Sequence, residues 1–148
     1  MPTLIDDTIA AISTPLGKGA LGVIRLSGKD SCRILLSLFP SGQNTLVDRV
    51  PLLGNIIEPK TGEILDQAIV TFFKSPRSFT REDVVEISCH GSPVVLRTVL
   101  RLLVDSGARL ATPGEFTLRA FLRGRIDLVQ AEAIRRSEER RVGKECRL

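Results

Sequence analysis

Two helix starts and one helix stop are written into a single stretch, residues 111–134, which reads Ala-Thr-Pro-Gly-Glu-Phe-Thr-Leu-Arg-Ala-Phe-Leu-Arg-Gly-Arg-Ile-Asp-Leu-Val-Gln-Ala-Glu-Ala-Ile. Thr112 and Glu115 have capping-box spacing, in which each side chain satisfies the other's free backbone N–H. Pro113 falls at the expected first helical position, where a missing N–H costs nothing. Asp127 and Gln130 repeat the device one helix later. Gly124 between them predicts a helix stop, because glycine tolerates the left-handed backbone that ends helices. The connecting turn is Arg123-Gly124-Arg125. Free N–H groups at helix starts, together with arginine, make this turn an expected anion-binding point.

The remaining chain alternates between two hydrophobic periods. Strands are predicted at Thr8–Ile12, Leu21–Leu26, Val50–Ile57, Ile64–Phe73 and Asp83–Cys89. Pro59-Lys60-Thr61-Gly62 predicts the hairpin joining the third and fourth. Ser27 is the expected cap of a helix of about 11 residues that buries Ile34, Leu35 and Leu38. Pro40 to Thr45 is an expected turn-rich link, and Ser75 to Thr80 an exposed loop. Ser92 and Pro93 open a long apolar helix that ends at Ser106 and Gly107. About five strands and three or four helices, mixed but not strictly alternating, predict an α+β fold with a mixed sheet.

Composition narrows the function classes. The 148 residues suffice for one domain with a real core. No apolar run approaches the roughly 18 residues of a membrane span. The N-terminus lacks the basic segment of a signal peptide, so a cytoplasmic location is expected. Cys32, Cys89 and Cys146 are odd in number and lack CxxC spacing, which reads as reduced thiols. The net charge of +4 comes mostly from residues 135–148, with six basic and three acidic side chains. Without them 15 bases face 14 acids, a balance of +1 that disfavours a nucleic-acid-binding module. The six aromatic residues are all Phe, which leaves few stacking platforms for single strands.

Several short motifs fail on context. Gly17-x-Gly19-x-x-Gly22 matches the dinucleotide fingerprint by letter, but a strand pattern follows where a helix is required. Val142-Gly143-Lys144-Glu145 lacks both the earlier glycine and the hydroxyl residue of a P-loop. Cys89 and His90 are strand neighbours and point to opposite faces, so they form no dyad and no metal chelate. His90 reads as structural. No catalytic and no metal-ligating residue is assigned.

Arg25 and Glu86 stand out as charges in the middle of otherwise apolar strands. A charge on a mostly covered sheet needs a partner or a ligand. A solvated sheet face, a structural Arg–Glu pair and a ligand site all fit the spacing.

The Ala120-Phe121-Leu122-Arg123-Gly124-Arg125-Ile126-Asp127-Leu128 run, preceded by Pro113-Gly114-Glu115-Phe116, resembles a specific family. It is similar to the end of the N-terminal domain of the tRNA modification GTPases called MnmE or TrmE. Thr14-Pro15-Leu16-Gly17-Lys18-Gly19 matches that family's Thr-Pro-x-Gly-x-Gly segment, and the resemblance covers residues 8–134. It implies a fold similar to the folate domain of aminomethyltransferases. It implies a site for 5-formyl- or 5,10-methylene-tetrahydrofolate at Arg25 of Gly22-Val23-Ile24-Arg25-Leu26-Ser27-Gly28, at Glu86, and at Arg125. Arg125 replaces the family's Lys, and Cys89-His90-Gly91-Ser92 replaces its Gly-His-Gly-Gly.

The resemblance further implies a homodimer, with folate held at the interface. In the whole protein it implies GTP hydrolysis with magnesium and potassium, an FAD-dependent partner of the MnmG/GidA family, and tRNA as substrate. There the aminomethyl-type group is installed at carbon 5 of the wobble uridine. Residues 1–118 are then the folate-binding domain and 119–134 the start of a helical domain. The alternatives are a stand-alone folate-dependent aminomethyltransferase-like enzyme and a purely structural dimerisation module. The resemblance stops at Ile134, where charge density jumps and apolar periodicity vanishes. Residues 135–148 are therefore expected to be a frameshift, truncation or foreign-sequence tail, with a charged helical extension as the alternative.

Overall fold

The computed structural model describes residues 6–15, 17 and 19–145, with the backbone alone for 139–145. Residues 16 and 18 of the expected glycine loop and residues 146–148 of the expected tail lie outside that set. The strands are β1 (Ile9–Ile12), β2 (Leu21–Ser27), β3 (Leu52–Ile57), β4 (Ile64–Phe73), β5 (Val84–His90) and β6 (Arg109–Leu110). The helices are α1 (Ser31–Leu36), α2 (Pro93–Asp105), α3 (Glu115–Leu122) and α4 (Leu128–Glu145), with a 3-10 turn at Pro40–Gly42. The fold is α+β.

One mixed sheet runs in the order β3-β4-β5-β2-β1-β6. All neighbours are antiparallel except β1 and β6. β6 is the strand the sequence pattern did not show. Two residues are too short for any periodicity, and β6 exists because Arg109 and Ala111 donate to the Thr8 and Ala10 carbonyls. The β3–β4 hairpin closes where expected, with Gly62 N–H on the Glu58 carbonyl at 2.8 Å.

Alternation along the strands sends one set of side chains to a common core. Ile24 and Leu26 of β2, Val85 and Ile87 of β5, and Ala68 and Val70 of β4 meet Ile34 and Leu35 of α1 and Val99 and Leu103 of α2. Each fully buried aliphatic side chain here contributes about 1.5–3 kcal/mol relative to exposure. Gly22 belongs to this packing rather than to a phosphate loop. A Cβ there would lie 2.6 Å from Leu96 of α2, so glycine lets the helix approach the strand.

α2 starts and ends as its sequence dictates. Ser92 accepts the Val95 N–H at 3.4 Å, Pro93 is the first helical residue, and Gly107 turns the chain away. α1 corrects the expectation: it has six residues, begins at Ser31 and has Asp30 as its cap, whose side chain bonds no helix N–H. Ser27 is the last residue of β2, and its hydroxyl is drawn to Glu82 Oε1 at 2.9 Å and Thr80 Oγ1 at 2.6 Å. Thr80, expected in an exposed loop, is consequently fully buried.

α3 also starts later than expected, at Glu115 with Gly114 as its cap. Only half of the expected box forms. The Glu115 carboxylate takes both the Thr112 N–H (2.9 Å) and the Thr112 hydroxyl (3.2 Å), while the Glu115 N–H bonds the Thr112 carbonyl at 3.0 Å instead of the hydroxyl. The second box is complete, with Asp127 and Gln130 bonding each other's N–H at 2.9 and 2.7 Å. α4 then continues without a break across residue 134 to Glu145.

Candidate functional site

The second face of the sheet carries the candidate site. Strand register places Thr71, Glu86, Arg25 and Ala11 in one row across β4, β5, β2 and β1. Arg25 donates from Nε (3.1 Å) and Nη2 (2.8 Å) to the same oxygen, Glu86 Oε1. The side chains are 30% and 32% exposed, so the pair sits at the surface of the sheet rather than inside it. Of the open readings, the structure forms the Arg–Glu pair. Among the described residues Arg25 Nη1 and Glu86 Oε2 have no hydrogen-bond partner, which leaves one donor edge and one acceptor oxygen available.

This row is a border. On one side, Ile9, Ser27 and Val84 are buried, with Ser27 bonded to Thr80 and Glu82 of the loop before β5. On the other, Leu21, Leu53 and Ile69 are 67%, 58% and 47% exposed, and no helix covers them. A cleft of about 910 Å³ opens at the border, lined by Ala11, Arg25, Phe79, Pro113, Phe116 and Ile134 among others.

Arg125 does not join that pair. It lines a second cleft of about 470 Å³ with Arg49, Phe73, Arg77 and Phe79. Phe79 is the wall common to both clefts. The turn carrying Arg125 is a full helix stop: Gly124 has φ 74°, its N–H bonds the Phe121 carbonyl, and Arg125 N–H bonds the Ala120 carbonyl. The expected convergence of two helix starts on this turn does not occur. α3 ends there rather than beginning, and the α4 start is already satisfied by Asp127 and Gln130.

Beneath the border lies an ionic cluster the sequence reading missed. Arg119 is 2% exposed and bonds the Asp7 carbonyl (2.7 Å), Asp7 Oδ1 (2.6 Å) and both Glu82 oxygens (3.1 and 3.2 Å). Arg109 bridges Asp7 and Glu115, each at 2.5 Å, and Arg123 reaches Glu82 at 3.1 Å. The buried charges of Arg119, Glu82 and Glu115 are thus each met by an opposite charge, as burial requires. The visible signal was the i,i+4 spacing of Glu115 and Arg119, which by itself describes a surface pair.

The family profile described as GTP-binding protein TrmE N-terminus matches residues 8–125, from the first strand through α3 and including Arg25, Glu86 and Arg125. The chain belongs to the TrmE N-terminal family. The tRNA modification GTPase MnmE of Ligilactobacillus salivarius is 54% identical over 132 residues, covering 86% of this chain and 28% of that protein. The protein of the same name from Lactobacillus gasseri is 50% identical over 129 residues, with the same shares. That of Geobacillus thermodenitrificans is 52% identical over 132 residues, with 86% and 29% covered. The chain thus spans under a third of the length of these relatives.

Within this TrmE N-terminal domain, His90 and Cys89 face apart. The His90 ring is 73% exposed with Nδ1 2.7 Å from Asp66 Oδ1. Cys89 is in the core, and burial, then the Asp66 charge, pushes its thiol up to about 11. No group of three or more His, Cys, Asp or Glu among the described residues could hold a metal ion. No helix among them is long and apolar enough to cross a membrane.

The ionic cluster makes the domain acid-sensitive. The Arg109 hydrogen bond, opposed by burial and aided by Arg119, holds the Asp7 carboxyl below its ordinary 3.8. Burial alone raises Glu115, but bonds from Arg109 and Thr112 outweigh it and bring the group below 4.5. Groups depressed in the folded state stabilise it fully above the unfolded value and lose that contribution as pH falls through the folded one. Stability is therefore expected to drop from pH 4.5 downward, and less steeply in a Glu115→Gln variant, whose share is already absent. Urea midpoints at pH 6, 4 and 3 check this; parallel curves for the two proteins would contradict it.

Proposed function

We propose that this chain is the reduced-folate-binding, dimer-forming part of a tRNA modification GTPase. The observation that carries the reading is the partly exposed Arg25–Glu86 pair, whose Arg25 lines the larger cleft, with one guanidinium edge and one carboxylate oxygen still available. A pterin ring offers an amino group and a ring N–H that a carboxylate accepts as a fork, and folate carries carboxylates that a guanidinium binds. The ligands are 5-formyl- or 5,10-methylene-tetrahydrofolate, with Arg25, Glu86 and Arg125 as contacts. Family membership supports the same reading.

The uncovered half of the sheet, with Leu21, Leu53 and Ile69, supports dimerisation through this domain. GTP, magnesium, potassium, tRNA and the FAD-dependent partner protein belong to the longer protein, in a cytoplasmic setting.

Titration calorimetry with 5-formyl-tetrahydrofolate tests the binding. Saturable heat is expected, and a melting temperature that rises with ligand concentration. Glu86→Ala and Arg25→Ala should each weaken binding by about 30- to 1,000-fold, the usual consequence of removing one partner from a partly buried charged contact. Absence of heat and of any melting shift at saturating ligand, in a chain shown by sedimentation to be dimeric, sinks the proposal.

A further inference from the structure

Three segments distant in sequence deliver three arginines to the smaller cleft. Arg49 adopts φ 64°, its N–H bonds the Phe72 carbonyl at 2.7 Å, and its Nη2 donates to the Arg77 carbonyl at 2.5 Å. Arg77 is fixed in the loop after β4 by its N–H on the Lys74 carbonyl. Arg125 leaves the α3–α4 turn, which Arg81 Nη1 ties down through the Arg123 carbonyl at 3.0 Å. The acid near this set is Asp48, 4.0 Å from Arg49 Nε and already accepting the Lys74 N–H. Among the described residues Arg77 and Arg125 have no ion-pair partner. Phe73, Pro76, Ser78 and Phe79 complete the lining.

Like charges converging on one concavity repel, and a multivalent anion relieves that repulsion while accepting forked N–H pairs. Phe79 lines both clefts, which makes them neighbours on the surface, so a tail extending from a ligand in the larger one has the smaller one beside it. We infer that the Arg49–Arg77–Arg125 cleft is a subsite for an oligocarboxylate tail, so that the domain selects reduced folates bearing several glutamyl residues over the monoglutamate. The inference rests on the folate reading of the larger cleft. A nucleic-acid backbone is the less favoured occupant, because residues 1–134 carry a balance of only +1 and the cleft is small, about 470 Å³.

The test compares 5-formyl-tetrahydrofolate with its triglutamyl form by calorimetry, on the 148-residue chain and on the Arg49→Ala/Arg77→Ala double variant. The triglutamate is expected to bind the parent about 10-fold or more tightly than the monoglutamate, an advantage that shrinks with added salt. The double variant should bind the monoglutamate as the parent does and lose the advantage, with its melting temperature reporting intact folding. Equal affinities in the parent, or an advantage that survives in the variant, overturn the inference and leave the folate reading standing. No binding of either form overturns both. A short RNA that binds the parent and not the variant, with the two folates bound alike, assigns the cleft to phosphates and overturns the inference.

Discussion

Glu82→Ala is expected to destabilise the domain by about 3–5 kcal/mol, the effect of removing one partner from a buried ion pair. Glu82 is 6% exposed and is the acceptor for Arg119, Arg123 and the Ser27 hydroxyl. Its loss leaves the Arg119 guanidinium, 2% exposed, with one carboxylate fewer in a place water does not reach. Arg119→Ala should cost as much, because Glu82 then keeps its charge without its main partner. The double variant Glu82→Gln/Arg119→Met should recover a large part of either loss, since it replaces both charges at once. Urea unfolding of the four proteins decides it. A loss below about 1 kcal/mol in Glu82→Ala would mean the cluster behaves as a solvated surface pair.

Gly28→Ala is the second large effect. Gly28 has φ 142°, a conformation closed to residues with a side chain, and an added Cβ would lie 2.5 Å from Thr8 Oγ1 and 2.6 Å from Thr8 Cα. Strain of this kind costs about 1–3 kcal/mol by itself. The clash adds to it, because the Thr8 backbone is pinned by its carbonyl bond to Arg109 and its hydroxyl accepts the Asp30 N–H at 3.0 Å. Gly62→Ala is the control: it has φ 75° with nothing within 4 Å of the new atom, so only the backbone term of about 1 kcal/mol remains. Equal losses in the two variants would show that the contact with Thr8 yields easily.

Elements with both ends marked locally were legible in the sequence. The α2 boundaries follow from Ser92, Pro93 and Gly107, the β3–β4 hairpin from Gly62, and the α4 start from Asp127 and Gln130. In each, the decisive bonds join residues within five positions of one another, so no distant segment competes for them. The charges of Arg25 and Glu86 were equally visible as exceptions in apolar strands. Their pairing was one open reading among three, because it depends on the antiparallel register of β2 with β5, which joins residues 61 apart.

Where local devices failed, another partner held the same polar group. Ser27 could not cap α1 because Glu82, 55 residues away, holds its hydroxyl. The Thr112 hydroxyl does not complete its box, because it turns to the Glu115 carboxylate that Arg109 also holds, and the Glu115 N–H bonds the Thr112 carbonyl. Arg119 reads as a surface helix residue until Asp7, 112 positions earlier, closes over it. The periodicity of apolar residues and the caps thus dictate which segments become helix and strand. Which charges are buried, which cleft receives Arg125, and which face stays open follow from long-range pairing. A charged group goes to the strongest partner within reach in three dimensions, and sequence spacing does not measure that reach.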